Sequence, residues 1–217
     1  MPSMNIRLEK LIPLPMMEQD TTGSEIWEAD SVLFEQGKKY IIQAPSGKGK
    51  TSLLSLIYGI RKDYQGSAYL DTTDISSLSS RQWSGIRKEK LSFIFQGLEL
   101  FDDLTALENI QLKNSITRDK SLQDIKKMAG LMGIGDFLHR KTGILSFGQQ
   151  QRVAIIRALC QPFSYLLADE CFSHIDRKNS MIAFQLICQE CDSRNAGLLL
   201  TALHETPQMD VDSRMRL

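Results

Sequence analysis

The sequence predicts an α/β protein built on a parallel sheet, with an antiparallel β part at its N-terminus and a helical lobe inserted in its second half. Two observations predict the core. Short apolar or β-branched runs alternate with stretches of helical length along the 217 residues, which is the pattern of parallel strands joined by crossover helices. A glycine-rich turn, Gly47-Lys48-Gly49-Lys50-Thr51, joins one such run to one such stretch. That is where open α/β folds hold anionic ligands.

The elements follow in order. Residues 5–11 are apolar on alternate positions, and residues 31–34 form a second candidate strand; together they make the N-terminal β part. Gln36-Gly37-Lys38 is a turn signal. Residues 40–42 read as a buried strand, and residues 51–59 as a helix with Leu53, Leu54, Leu56 and Ile57 on it. A strand is expected at 67–70, a helix at 79–90 and a strand at 91–95. From about 98 to 147 the apolar spacing turns helical, as in Leu122, Ile125, Met128, Ala129 and Met132; this stretch is the expected lobe. A helix at 149–159, a strand at 165–168, a helix at 179–191, a strand at 198–201 and a last short strand complete the chain. It reads as one domain with no internal repeat.

Composition narrows the function. Lys plus Arg and Asp plus Glu are both 26, so the formal net charge is zero. That balance argues against bulk attraction to nucleic acid. The longest uncharged stretches, such as 158–168 and 179–189, fall well short of the about 20 residues of a membrane span. The N-terminus, with Glu9, Pro13, Pro15 and Glu18, lacks the apolar middle of a secretory signal. Four cysteines in a chain of this length do not make a disulfide framework. Cys188 and Cys191 are spaced as CxxC but have no second ligand pair, and a structural zinc site needs four ligands.

The chemistry concentrates in two places. Ala44-Pro45-Ser46-Gly47-Lys48-Gly49-Lys50-Thr51, with Ser52 behind it, matches the phosphate loop GxxxxGK[ST] except for Ala44 in the first glycine position. Gly47 and Gly49 let successive backbone N–H groups turn toward phosphate oxygens. Lys50 is placed to neutralise the β- and γ-phosphates, and the Thr51 hydroxyl to ligate Mg²⁺. The loop tolerates Ala44 if that residue keeps a negative φ. The second place is Asp169-Glu170, at the carboxyl end of an apolar strand. Two acids there are costly without a ligand. Asp169 fits the acid of a Mg²⁺ shell, and Glu170 fits the base or orienter of an attacking water.

With these residues in view, the chain resembles the ATP-binding-cassette (ABC) ATPases from about residue 37 onward. Leu145-Ser146-Phe147-Gly148-Gln149-Gln150-Gln151-Arg152 resembles the family's LSGGQQQR signature. Phe93-Ile94-Phe95-Gln96 resembles the Q-loop, and residues 104–110 the segment that follows it. Ser173-His174-Ile175-Asp176 is similar to the D-loop, and His204 to the switch histidine.

The resemblance implies a P-loop NTPase fold with a RecA-like sheet, and an ATPase using ATP and Mg²⁺. It implies Glu170, His204 and Gln96 as the catalytic set, and Thr51, Gln96 and Asp169 around the metal. It also implies that Ser146, Gly148 and Gln149 serve the ATP of the facing subunit in a head-to-tail homodimer, and that Asp176, in the same nucleotide-binding set, couples the two sites. The membrane permease is expected on a separate chain, with this chain at the cytoplasmic face of a membrane. The stretch 71–75 and then 87–96 looks most like the lipoprotein-release, macrolide-efflux and cell-division branch.

The chain departs from the family pattern at several positions. Phe147 replaces the first glycine of the signature pair, Cys171-Phe172 replace Pro-Thr, and Leu203 replaces Thr before the histidine. No aromatic stands near residues 14–17 to stack on adenine, and Trp27 and Tyr40 lie away from that place in sequence. The leading expectation is the ATPase subunit of an ABC transporter. A mechanical or signalling ATPase and a nucleotide-binding pseudoenzyme are the other readings. A DNA-repair cassette is disfavoured, since the chain has no room for a long coiled coil.

Overall fold

The computed structural model describes residues 4–204, 206 and 208–217. Two sheets organise it. The first is antiparallel, in the order β2-β1-β4-β5, from β1 (Ile6–Pro13), β2 (Ser31–Phe34), β4 (Tyr64–Leu70) and β5 (Thr73–Asp74). The second is parallel, in the order β6-β7-β8-β3-β9, from β3 (Lys39–Gln43), β6 (Leu91–Ile94), β7 (Tyr165–Asp169), β8 (Gly197–Ala202) and β9 (Ser213–Arg216).

Strands β3, β6, β7 and β8 are buried on both faces over most of their length, which is why they read as apolar runs, whereas β9 at the edge is partly exposed. Their side chains alternate between two cores. Ile41, Leu166, Ala168, Leu198 and Leu200 face one. Ile42, Tyr165, Leu167 and Leu199 face the other. The first core also takes Ile110 of α3 (Ala106–Thr117), Ile125 and Met128 of α4 (Leu122–Leu131), and Ile156 and Leu159 of α5 (Phe147–Leu159). Ile187 of α6 (Arg177–Arg194) completes it. The second core joins α1 (Lys50–Ile57) and Trp83 of α2 (Ser80–Glu89) to the antiparallel sheet through Ile6, Leu8 and Phe34. A buried bond crosses the layers, from the Tyr165 hydroxyl to the Phe34 carbonyl at 2.7 Å.

Most differences from the expected boundaries are set by caps. The helix expected at 149–159 begins at Phe147, because Ser146 closes a capping box with Gln149. The helix expected at 179–191 runs from Arg177 to Arg194, capped by Asp176 and ended by Asn195 in the left-handed region. The helix expected at 51–59 spans Lys50–Ile57. Two differences are topological. The strand at 67–70 begins at Tyr64 and belongs to the antiparallel sheet, pairing with β1. The strand expected at 5–11 runs on to Pro13 through an irregularity between Glu9 and Ile12, with Lys10 at φ 45°. Among the described residues, no helix is long and apolar enough to cross a membrane.

Candidate active site

The parallel topology places the carboxyl ends of β3 and β7 side by side with β8 between them, where α/β sheets open a ligand crevice. Residues 44–49 leave the end of β3 as a loop and hand over to α1. Gly47 and Gly49 have φ of 83° and 92°, values that exclude most side chains. Gly49 also has no room, since a Cβ there would lie 3.2 Å from both Met16 Sδ and Trp27 Cζ2. Ala44 is buried and is not among the residues with positive φ. The alanine therefore costs the loop no strain, and its carbonyl does useful work.

That carbonyl accepts the Lys50 Nζ at 2.6 Å, and the Pro45 carbonyl accepts it at 2.9 Å. Glu170 Oε1 lies 3.2 Å from the same ammonium. Lys50 is buried, with only 4% of its surface exposed. A buried cation is costly unless it is paired and hydrogen-bonded, and here it is both. Next to it the Thr51 hydroxyl donates to Asp169 Oδ2 at 2.6 Å. Thr201 Oγ1 donates to Asp169 Oδ1 at 2.7 Å and accepts the Glu170 N–H at 3.0 Å. Glu170 itself sits at φ 46°, a strained position for a residue with a side chain. Its carboxylate accepts Gln96 Nε2 at 3.3 Å. The structure thus gathers Lys50, Thr51, Asp169, Glu170 and Gln96 into one cluster. Ser52 lies behind it, its hydroxyl accepting Arg61 Nη1 at 2.8 Å.

Beside this cluster is a cavity of about 300 Å³ lined by Glu170, Phe172, Thr201, Leu203 and His204, among others. His204 is exposed, and its carbonyl accepts Gln43 Nε2 at 3.4 Å.

The remaining expected residues lie on a different face. The Ser146 hydroxyl accepts the Gln149 N–H at 3.3 Å, and Gln149 Oε1 accepts the Ser146 N–H at 2.9 Å. Both side chains therefore cap α5. Gly148 is there for close approach, as a Cβ would meet the His174 carbonyl at 2.9 Å. Phe147 is 45% exposed and packs edge-on to His174, with ring centroids 4.5 Å apart. Asp176 caps α6, accepting the Asn179 N–H at 3.0 Å. Bonds from Asn179 hold its carboxyl below the usual carboxylate range.

Several site residues escaped the sequence. Thr201 clamps both acids, and its only local signal is its place at the end of an apolar run. Gln151 bridges the two faces, its Oε1 accepting the His174 N–H at 3.3 Å and its Nε2 reaching the Glu170 carbonyl at 3.5 Å. Trp27 and Met16 are also part of the site. Trp27 is buried under the phosphate loop and donates from Nε1 to the Lys48 carbonyl at 3.3 Å. It props the loop from inside and presents no free ring face to a base. Lys48 is tied across the loop's mouth, its Nζ on the Asp20 carbonyl at 2.7 Å.

A family model described as ABC transporter matches residues 28–173. The chain belongs to the ABC transporter family. It is 35% identical over 176 residues to the lipoprotein-releasing system ATP-binding protein LolD of Buchnera aphidicola subsp. Schizaphis graminum, covering 79% of this chain and 76% of the relative. It is 36% identical over 146 residues to an uncharacterised ABC transporter ATP-binding protein of Thermotoga maritima. That match covers 66% of this chain and 62% of the relative's length. Among solved structures, the fold matches the dimeric post-hydrolysis cassette MJ0796 bound to ADP and Pi. That match has a TM-score of 0.74 at 28% identity, over 92% of this chain and 88% of that one. These findings bear out the resemblance and the fold class, and they agree with the reading as an ATP-binding subunit of ABC type.

Proposed function

We propose that this cassette binds Mg²⁺-ATP between the phosphate loop and Asp169-Glu170. Its hydrolysis in a homodimer would drive a permease on a separate chain, at the cytoplasmic face of a membrane. The observation that carries this reading is the buried cluster in which Lys50 is held by Ala44, Pro45 and Glu170. That pairing keeps the ammonium beside the loop, where a phosphate oxygen can take the place of Glu170, and the glycines present the N–H groups that wrap a phosphate.

The cluster defines what each side chain does. The γ-phosphate competes with Glu170 for Lys50, so nucleotide binding frees the Glu170 carboxylate. That carboxylate then orients a water against the γ-phosphorus and takes its proton as the bond to the β-phosphate oxygen breaks, giving ADP and phosphate. Gln96, already on Glu170, steadies it, and His204 borders the same cavity on the γ-phosphate side. The hard oxygens of Thr51 and Asp169 fit Mg²⁺, with Gln96 at the edge. When bound, the ion supplies neutralisation of phosphate charge. Thr201 keeps Asp169 oriented. The exposed start of α5, with Ser146, Gly148 and Gln149, offers its N–H groups and dipole to the ATP of a facing copy, with Asp176 close by on the same face.

The reading is tested by turnover and mass together. Wild-type protein should hydrolyse ATP, and Glu170→Gln should bind ATP without turning it over. With ATP, Glu170→Gln should run at twice its apparent mass on size exclusion. An ATP-loaded monomer, or a Glu170→Gln protein with full turnover, would sink it.

A further inference from the structure

Three positions where the chain departs from the family pattern carry apolar side chains that are not fully buried: Phe147, Phe172 and Leu203. They belong to two features of complementary shape. The first is a knob. Phe147 stands in the first turn of α5 and is 45% exposed. Its ring meets the exposed His174 ring edge-on, with centroids 4.5 Å apart and planes at 77°. His174 is held from behind. Gln151 Oε1 accepts its N–H at 3.3 Å, and Gly148 leaves room for its carbonyl. The two rings therefore stand as one braced body, with little freedom left to lose on contact.

The second feature is the cavity of about 300 Å³ beside Glu170. Phe172, Leu200, Ala202 and Leu203 line it with carbon. Phe172 is braced by Phe184, edge-on with centroids 6.4 Å apart, and Leu203 is 36% exposed. A cavity of roughly 150 Å³ takes a benzene ring, so this one has room for both rings of the knob. Phe147 does not line it in its own chain. Phe172 and Ser173 line the cavity and His174 belongs to the knob, so one short segment carries both features.

A second copy of this chain satisfies both. In a two-fold dimer each copy gives a knob and receives one. The start of α5, which carries Phe147, is the face set against the facing copy in the function proposed above. The knob therefore continues that interface.

We propose that the Phe147–His174 pair of each copy seats in the cavity between Phe172 and Leu203 of the other when the dimer closes on ATP. The rings cover the carbon lining and keep bulk water from Glu170 and His204, which border the same cavity. The inference rests on the proposed ATP-bound homodimer and adds the side chains that close it.

The test is a double-mutant cycle on the full chain carrying Glu170→Gln. The dimer dissociation constant with ATP is measured by sedimentation. Phe147→Ala and Leu203→Ala should each weaken the dimer about tenfold, as expected for a packed aromatic anchor and its pocket. The chain with both changes should be little weaker than either alone, because the two residues share one contact. Leu203→Trp, which fills the cavity, should weaken the dimer too, and Phe147→Tyr should keep it. ATP affinity of the monomer should stay the same in Phe147→Ala. A parent-like dimer constant in Phe147→Ala, or losses in the two variants that multiply fully in the double variant, overturns the proposal and leaves the homodimer standing. A Glu170→Gln parent that stays monomeric with ATP overturns the proposal and the homodimer together.

Discussion

Two faces of this molecule carry the residues expected to handle ATP, and they are built differently. Around Lys50 the groups are buried and bonded to one another. Lys50 meets two carbonyls and Glu170, and Asp169 meets Thr51 and Thr201. At the start of α5 the groups are exposed and bonded mainly to their own helix ends, as in the Ser146–Gln149 box and the Asp176 cap. Low dielectric makes the first set strong and unforgiving of loss. Solvent makes the second set cheap to alter within one chain. Gln151 ties the two together through Glu170 and His174. The lesson is that one chain finishes the Lys50 site, whereas the α5 face gains a task only against another molecule.

Substitutions can break or sharpen this contrast. The largest effect is expected from Lys50→Ala, which removes the buried ammonium and leaves Glu170 unpaired. Tight ATP binding should disappear, as measured by calorimetry, and wild-type affinity would mean that the buried cluster is not the nucleotide site. Next is Thr201→Val, which strips a hydrogen bond from Asp169 and an acceptor from the Glu170 N–H. It should cost about 1–3 kcal/mol of stability and lower turnover more than ATP affinity, as read from denaturant melts and kcat against KM. Ser146→Ala on the exposed face should cost only about 1 kcal/mol as a lost cap. ATP binding by the monomer should stay unchanged, while ATP-driven assembly should weaken. If Ser146→Ala instead destroyed monomer binding, the division between the two faces would fail.

The smallest effect concerns the cysteine thiols. Burial pushes the Cys188 thiol up to about 11 and the Cys160 and Cys191 thiols up to about 12. Cys171, next to Glu170, is raised further for the same reason. A raised folded value favours the neutral thiol in the native state. That contribution is complete below the unfolded thiol pKa of about 8.5 and is lost as pH rises through the folded values. Melting temperature should therefore decline as pH climbs above about 9, less steeply in Cys188→Ser. Native thiols should also react slowly with a thiol reagent at neutral pH.

Much of this was legible from residue order. The run 40–42, the glycines at 47 and 49 and the helix after them declared a phosphate loop, because each residue type has a local job there. Asp169-Glu170 stood out because two acids ending an apolar strand conflict with burial. Thr201 did not stand out, since a threonine closing a strand is ordinary. Its role follows from the register that sets it opposite Asp169 across β7 and β8. Trp27 and Met16 were hidden for the same reason. Only folding brings them beneath Gly49, more than twenty residues later in the chain.

By itself, the sequence determined the α/β alternation, the phosphate loop, the acidic pair and the family. These rest on local patterns of burial, backbone freedom and charge. Tertiary structure decided the rest. It showed that Ala44 fits without a positive φ, that Thr201 holds both acids, and that residues 64–70 join the antiparallel sheet. Each depends on which distant segments become neighbours, and that is set by packing two cores at once rather than by any local signal.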